Sequence, residues 1–203
     1  MNLARKRYDR IAPFYDIFES PMEFFSFARW RRELIGSATG RVLEVGIGTG
    51  KNLPYYPGGV DLTGIDISPK MLERAKRRAS KLGIAVTLAV MDIESQNFPD
   101  DTFDYVVSTC VFCSVPDPVR GLAEVARVLK PTGKALFLEH VRSENPFLGR
   151  LMDIANPLFN RLIGPNINRR TVSNIKTAGF EILSLENAGS TLVKKIEARR
   201  ALL

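Results

Sequence analysis

The chain has two cysteines, one histidine and one tryptophan among its 203 residues, and each shortage closes off a chemistry. Cys110 and Cys113 stand three apart in one strand-to-loop stretch. They build no disulfide framework, and two thiolates alone are a poor zinc site. No metal site is expected, and a reducing cytoplasm suits such a chain. A run of about 18 uncharged apolar residues is missing, which speaks against a transmembrane helix. The stretch MNLARKRYDR lacks the apolar centre of a secretory signal. Internal repeats and low-complexity tracts are missing as well.

What remains has the make-up of a globular domain. Apolar residues are 45% and charged residues 25%, both ordinary values. The length suits one domain with a sizeable core. The net charge of +7 has two readings. One is solubility; the other is attraction to nucleic acid, an acidic membrane surface or an acidic substrate.

From residue 41 strands and helices alternate. RVLEVGI (41–47), DLTGIDI (61–67), AVTLAVMD (85–92), FDYVVSTCVF (103–112) and KALFLEHV (134–141) read as strands. SPKMLERAKRRASKLG reads as a helix with Ser68 at its N-cap, Pro69 in its first turn and Gly83 at its stop. PVRGLAEVARVLKPTG (118–133) reads as a helix ended by Pro131 and Gly133, and TVSNIKTAGF (171–180) as one closed by Gly179. EILSLE (181–186) and TLVKKI (191–196) read as a closing hairpin. The expectation is an α/β fold. Its centre is a Rossmann-like, doubly wound, mostly parallel seven-stranded sheet with an antiparallel edge strand. Residues 1–40, expected to be helical, precede this domain of residues 41–203. Residues 142–170 follow the fifth strand, above the crevice where such sheets bind ligands. Both are candidate lids.

The first strand runs into Glu44-x-Gly46-x-Gly48-x-Gly50. A dinucleotide fingerprint would need glycine where Lys51 stands, and a Walker loop would need Ser or Thr where Asn52 stands. Asp66 closes the second strand, where a ribose diol acceptor belongs. Asp92 closes the third, where a carboxylate can accept from an adenine amino group between Ile67 and Ile93. Ribose and adenine without a phosphate cradle describe S-adenosylmethionine (SAM) better than NAD.

The ordered set LEVGIGTG, GIDIS, MDIE, FDYVVSTCVFCSV and EVARVLKPTGKALFLEH resembles the class I SAM-dependent methyltransferases, type 11 branch, over roughly residues 8–196. The resemblance implies SAM as cofactor. It puts Glu44 and the backbone of Gly46, Gly48 and Gly50 at the methionine end. Asp66 falls on the ribose and Asp92 on the adenine, with Asn52, Ile67, Met71, Ile93 and Thr109 as further donor contacts.

The acceptor is less defined. Ser108-Thr109-Cys110-Val111-Phe112 stands where nucleobase and glutamine methyltransferases carry Asn/Asp-Pro-Pro-Tyr. That counts against a ring-conjugated amino group and against nucleic acid as partner. YDRIAPFYD (8–16) resembles the N-terminal segment of quinone and phospholipid methyltransferases. The resemblance gives Tyr15, with Tyr8, a role in closing over the donor; packing aromatics is the other reading. SPMEFFSFARWRRELI (20–35) mixes aromatics with arginines and reads either as a helix packed on the sheet or as an interfacial helix. PFLGRLMDIANPLFNRLIGPNINRR (146–170) is also apolar and basic, broken by Pro157 and Pro165. Together the two point to a lipophilic acceptor and an anionic membrane surface, with the protein cytoplasmic or peripheral at the inner face. The stretch from VVSTCVFCSV to NRRTVSNIKTAGF resembles both bacterial phosphatidylethanolamine N-methyltransferases and animal small-thiol methyltransferases. His140, at the end of the fifth strand, is a candidate base, or a residue that bonds the lid. Arg169 and Arg170 are candidates for a phosphate headgroup, or a solvated helix start.

The expected activity is N-methylation of phosphatidylethanolamine or a similar amphiphilic amine. The alternatives are a quinone precursor or small lipophilic thiol as acceptor, and a non-catalytic SAM-binding protein.

Overall fold

The computed structural model describes residues 5–13, 27–162 and 164–201. Tyr15, Ser20, Pro21, Phe24 and Phe25 lie outside the described residues. Helix α1 covers residues 5–13 and α2 covers Ala28–Ile35. Strand β1 (Arg41–Val45) is buried from Val42 onward, as a central parallel strand must be. It is followed by β2 (Asp61–Asp66), α3 (Pro69–Leu82), β3 (Thr87–Val90) and β4 (Phe103–Thr109). Then come α4 (Pro118–Val128), β5 (Leu129–His140), α5 (Pro146–Leu162), α6 (Thr171–Thr177), β6 (Phe180–Ala188) and β7 (Ser190–Arg200).

The seven strands form one sheet in the order β3-β2-β1-β4-β5-β7-β6. β1 to β5 pair in parallel. β7 runs antiparallel to both of its neighbours, one place in from the edge strand β6. The order reverses between β1 and β4, which opens the ligand crevice at their C-terminal ends.

Each sheet face carries its own core. Leu122, Val125, Val128 and Ile175 pack with Val106 and Phe137 on the α4–α6 face. Leu34, Ile35, Leu53, Leu72 and Ala79 pack with Val42, Val107 and Leu136 on the other. α2, the described part of the stretch 20–35, thus packs on the sheet. Phe27 and Arg31 are buried, and Trp30 lies against Gly189 of the β6–β7 turn.

α3 begins and ends as expected. Ser68 Oγ accepts from the Met71 amide at 3.2 Å, and Gly83 closes it in a left-handed conformation at φ 65°. α4 is shorter than expected. Leu129 is already extended and pairs with Phe103, so 129–133 joins β5 through a bulge. The residue before Pro131 is biased to extended backbone, which favours that exit. α6 likewise stops at Thr177, and the chain turns at Gly179 into β6. α5 runs through Pro157 instead of breaking there. Proline removes one backbone bond, but Asp153 and Asn156, in the turn before it, tie the helix to Arg142 and Asn166.

Candidate donor cavity and active site

β1 ends in a turn that only a bare backbone can make. Gly46 has φ 64°, and a Cβ there would stand 2.5 Å from Val111 Cγ2. The turn therefore packs directly on the loop after β4. From it the Gly48 amide donates to Asp66 Oδ2 at 2.9 Å, and the Ser68 amide donates to Oδ1 at 2.8 Å. Both bonds aim the carboxylate that closes β2. Burial lifts Asp66 to about 6, and those two amides oppose the rise.

Between this turn, the end of β3 and the loop after β4 lies a cavity that opens to solvent at its mouth. Gly46, Gly48, Asp66, Ile67 and Met71 form one side, Asp92 and Ile93 the next, and Thr109 a third. So eight of the donor residues expected from sequence converge on one space. Gly50 is buried in the turn behind it. The far wall is Cys110, Val111, Ser114, Val115 and Pro116, and Tyr8 closes over it from α1. Tyr8 Oη and Ser114 Oγ are 2.6 Å apart. One residue on, Ser68 Oγ donates to Asp9 Oδ1 at 2.6 Å. α1 thus meets both sides of the cavity.

Glu44 and Asn52 sit behind the glycine turn, outside the lining. Asn52 Nδ2 donates to Glu44 Oε1 at 2.8 Å and reaches Thr109 Oγ1 at 3.0 Å, which joins this network to the cavity. Tyr56 Oη donates to Glu44 Oε2 at 2.8 Å, and Arg31 Nη1 donates to Asn52 Oδ1. Burial pushes Glu44 up to about 7, with Tyr56, Arg31 and Asn52 pulling it back. Burial, then the adjacent Glu44, drives the Tyr56 phenol well above its ordinary value.

The far wall has its own buried acid. Glu139 Oε1 accepts from the Val111 amide at 3.1 Å and from Ser108 Oγ at 2.8 Å. Burial lifts this carboxyl to about 7. It holds the start of the loop where Cys110 takes φ 56°, a conformation unusual outside glycine. Cys113 is buried, and its thiol is pushed up to about 12 by burial and then by Glu139. A thiol this protonated is a weak nucleophile.

The remaining candidates scatter. His140 is half-buried at the end of β5, outside the cavity lining, and burial lowers its pKa. Its carbonyl accepts from Thr171 Oγ1 at 3.4 Å. Arg169 Nη2 donates to the Val115 carbonyl at 2.6 Å, so it braces the far wall. Arg170 is exposed at the start of α6. From sequence, Tyr56, Asp9 and Ser114 have no part in the site, and Arg31 and Glu139 enter only as neighbours of other candidates. A buried-strand pattern interrupted by one acid, as in KALFLEHV, was the available signal for Glu139.

A sulfonium donor with an ammonium, a ribose diol and an adenine amine fits three carboxylates set around an otherwise apolar space. Asp66 and Asp92 can accept from the diol and the amine. Glu44 supplies negative charge behind the turn.

Comparison with known proteins agrees. Residues 43–137, from β1 to β5, match a family profile described as a methyltransferase domain. The chain is similar to a phosphatidylethanolamine N-methyltransferase of Cereibacter sphaeroides, 41% identical over 115 residues, 55% of this chain and 57% of that protein. A demethylmenaquinone methyltransferase of Renibacterium salmoninarum is 32% identical over 172 residues, 82% of this chain and 69% of that protein. A thiol S-methyltransferase of Homo sapiens is 35% identical over 159 residues, 74% of this chain and 64% of that protein. A SAM-dependent methyltransferase structure from Aquifex aeolicus has a TM-score of 0.70 at 20% identity, covering 92% of this chain and 97% of that one. That last likeness is one of fold. The matched part spans only 57% to 62% of the length of several of the curated relatives.

Proposed function

Because this chain belongs to the class I SAM-dependent methyltransferases, type 11 branch, we propose that it N-methylates phosphatidylethanolamine or a similar amphiphilic amine drawn from an anionic membrane surface. The observation that carries the reading is the far wall of the cavity. Cys110, Val111, Val115 and Pro116 make it apolar, and the Tyr8–Ser114 hydroxyl pair is its polar feature. Such a wall suits an acceptor with a lipophilic body and a small polar head.

SAM supplies an electrophilic methyl on a sulfonium. In our reading Asp66, Asp92 and the Gly46–Gly48 backbone hold the donor, and Glu44, Asn52 and Thr109 fix its amino-acid end. The protein's part in an in-line displacement is alignment and exclusion of water. Tyr8 and Ser114 orient the acceptor nitrogen at the mouth. The nitrogen must give up its proton to expose a lone pair. His140, the candidate for that step, stands at the strand end beyond the cavity, while Tyr8 stands in the cavity, where it can close over the donor. Tyr15 lies outside the described residues. Arg169 braces the wall and Arg170 is open to solvent, so Arg170 is our candidate for a phosphate headgroup.

The demethylmenaquinone and thiol relatives favour a second reading, in which the same wall receives a quinone precursor or small thiol. One experiment separates the readings. Purified protein is incubated with methyl-labelled SAM and mixed vesicles containing phosphatidylethanolamine, and the organic extract is resolved. Label in N-methylated phosphatidylethanolamine is the expected result. SAM binding in the same tube with no lipid label overturns the phospholipid reading and moves the search to thiols and quinone precursors. SAM binding with no S-adenosylhomocysteine formed in the presence of any acceptor would mark a non-catalytic binder.

A further inference from the structure

α5 is amphipathic with its apolar side turned outward. Phe147, Leu151, Ile154 and Leu158 recur at helical spacing along one stripe, and Phe147, Ile154 and Leu158 are 83%, 73% and 60% exposed. Leu148 and Phe159 widen the stripe and are exposed too. Single exposed leucines are ordinary, but a contiguous stripe of six large apolar side chains is a contact surface.

Among the described residues, the charged side chains of α5 that flank the stripe are arginines. Arg150 and Arg161 are exposed and share one flank of the stripe, at about 100° per residue. The helix has a single acid, Asp153, on the inward side, bonded to Arg142 at 2.8 Å and to Asn168 at 3.1 Å. An apolar strip edged with exposed arginines complements a layer that is apolar within and anionic at its surface.

The inner side of the same helix is fastened to the cavity wall. Asn156 Nδ2 donates to Asn166 Oδ1 at 3.1 Å, and Asn156 Oδ1 accepts from the Ile167 amide at 2.9 Å. Asn166 then donates to the Cys113 carbonyl from its amide at 2.8 Å and from Nδ2 at 3.0 Å. Arg169 continues the tie to Val115. Whatever α5 rests on therefore lies next to the acceptor side of the cavity.

We propose that the outward stripe of α5 is the seat of this protein on an anionic lipid surface, and that it brings the acceptor wall to the bilayer. The proposal rests on the amphiphilic-acceptor reading for its purpose but not for its test. The stripe dips into the headgroup boundary, and Arg150 and Arg161 meet lipid phosphates.

The test is co-sedimentation of the full chain with phosphatidylcholine vesicles, with and without phosphatidylglycerol, at low and high salt. Methyl transfer to a dispersed short-chain phosphatidylethanolamine is measured in parallel. Wild type should pellet with the anionic vesicles and lose part of that binding in salt. The double variant Ile154→Ser, Leu158→Ser should lose about tenfold or more in vesicle affinity, and Arg150→Gln about fivefold on anionic vesicles alone. Thermal stabilisation by SAM should stay as in wild type, since these side chains point away from the core. Vesicle binding unchanged in the double variant overturns the proposal, as does wild type that fails to pellet. A concentration-dependent dimer that the double variant abolishes also overturns it, since the stripe then seats a second copy. Vesicle binding without transfer to any phosphatidylethanolamine leaves the seat standing and removes the acceptor. Transfer to the short-chain lipid without vesicle binding does the reverse.

Discussion

Arg31 is the handle on the charge balance of the proposed donor site. Its Nη1 donates to Asn52, Asn52 donates on to Glu44, and its charge lowers the Glu44 pKa against burial. With that help Glu44 still stands at about 7. Arg31→Met keeps much of the buried volume, removes the charge and leaves Asn52 Oδ1 without its donor. Losing a buried charged hydrogen bond costs about 1.5–3 kcal/mol, a factor of ~10 to ~100 in an equilibrium constant. An ionised Glu44 attracts a cationic donor and a protonated one does not. SAM affinity in wild type should therefore weaken as pH falls through about 7, and again through about 6 as Asp66 protonates. Stability of the ligand-free protein should move the other way. The folded pKa values of Glu44, Asp66 and Glu139 lie above the unfolded values. The folded state then binds more protons, so acidification through about 7 and 6 stabilises it. Asp153 and Glu33, held near 2 by their ion pairs, do not oppose this until far lower pH; His140, whose pKa burial lowers, does oppose it as pH falls through the ordinary histidine range, one group against three. The assay is calorimetric titration with SAM in steps from about pH 8 to about pH 5.5, with thermal unfolding of the free protein over the same range. Arg31→Met should move the affinity midpoint upward and cut affinity at neutral pH by about tenfold or more. A midpoint that stays put in a folded variant, or wild-type affinity flat across the range, refutes the link from Arg31 to Glu44.

Two further substitutions divide binding from turnover. Tyr8→Phe keeps the ring over the cavity and removes the 2.6 Å contact with Ser114; initial rates should show kcat/KM for the acceptor down by about threefold to tenfold, with SAM affinity nearly unchanged. If the loss falls on SAM affinity alone, Tyr8 serves the donor and not the acceptor. His140→Ala should lower turnover by about a hundredfold if the imidazole takes the acceptor proton, with SAM affinity intact, and unchanged turnover removes His140 from the reaction.

Local signals read well. The apolar run into a glycine turn, the Ser68 cap and the Gly83 stop are each set within a few residues, and the alternation of strands and helices implies the mostly parallel sheet. Asp66 and Asp92 were legible because a parallel strand ends where its apolar run ends, and that end faces the crevice. What was missed depends on distant partners. Arg31 reaches a residue 21 positions on, Tyr8 one 106 positions on, and Ser108 meets Glu139 across 31. Charge content alone gives no hint that Arg31 would be buried while Arg29 and Arg32 face water. α4 was overextended because Val128 and Leu129 suit helix and strand alike, and pairing with Phe103 decides between them. His140 follows a buried strand to the crevice level, but its side chain falls on the α2 face with Leu136 and Leu138, one residue out of phase with Glu139.

The two signs of charge are kept in two places, and this reconciles a basic protein with a cationic cofactor. The net charge is +7, yet the acids Glu44, Asp66 and Asp92 gather around one cavity, with Asp9 bonded to the Ser68 cap beside it. A donor carrying a sulfonium would meet a local field of the opposite sign to the molecule's whole. Each of these acids is partly or wholly buried, so its field acts over a short range and through little solvent. The arginines of α5 are exposed, so theirs acts outward and weakens with salt. Raising salt should then loosen an anionic surface far more than it loosens the donor. If both interactions weakened in parallel, the partition of charge between cavity and surface would not be what organises the site.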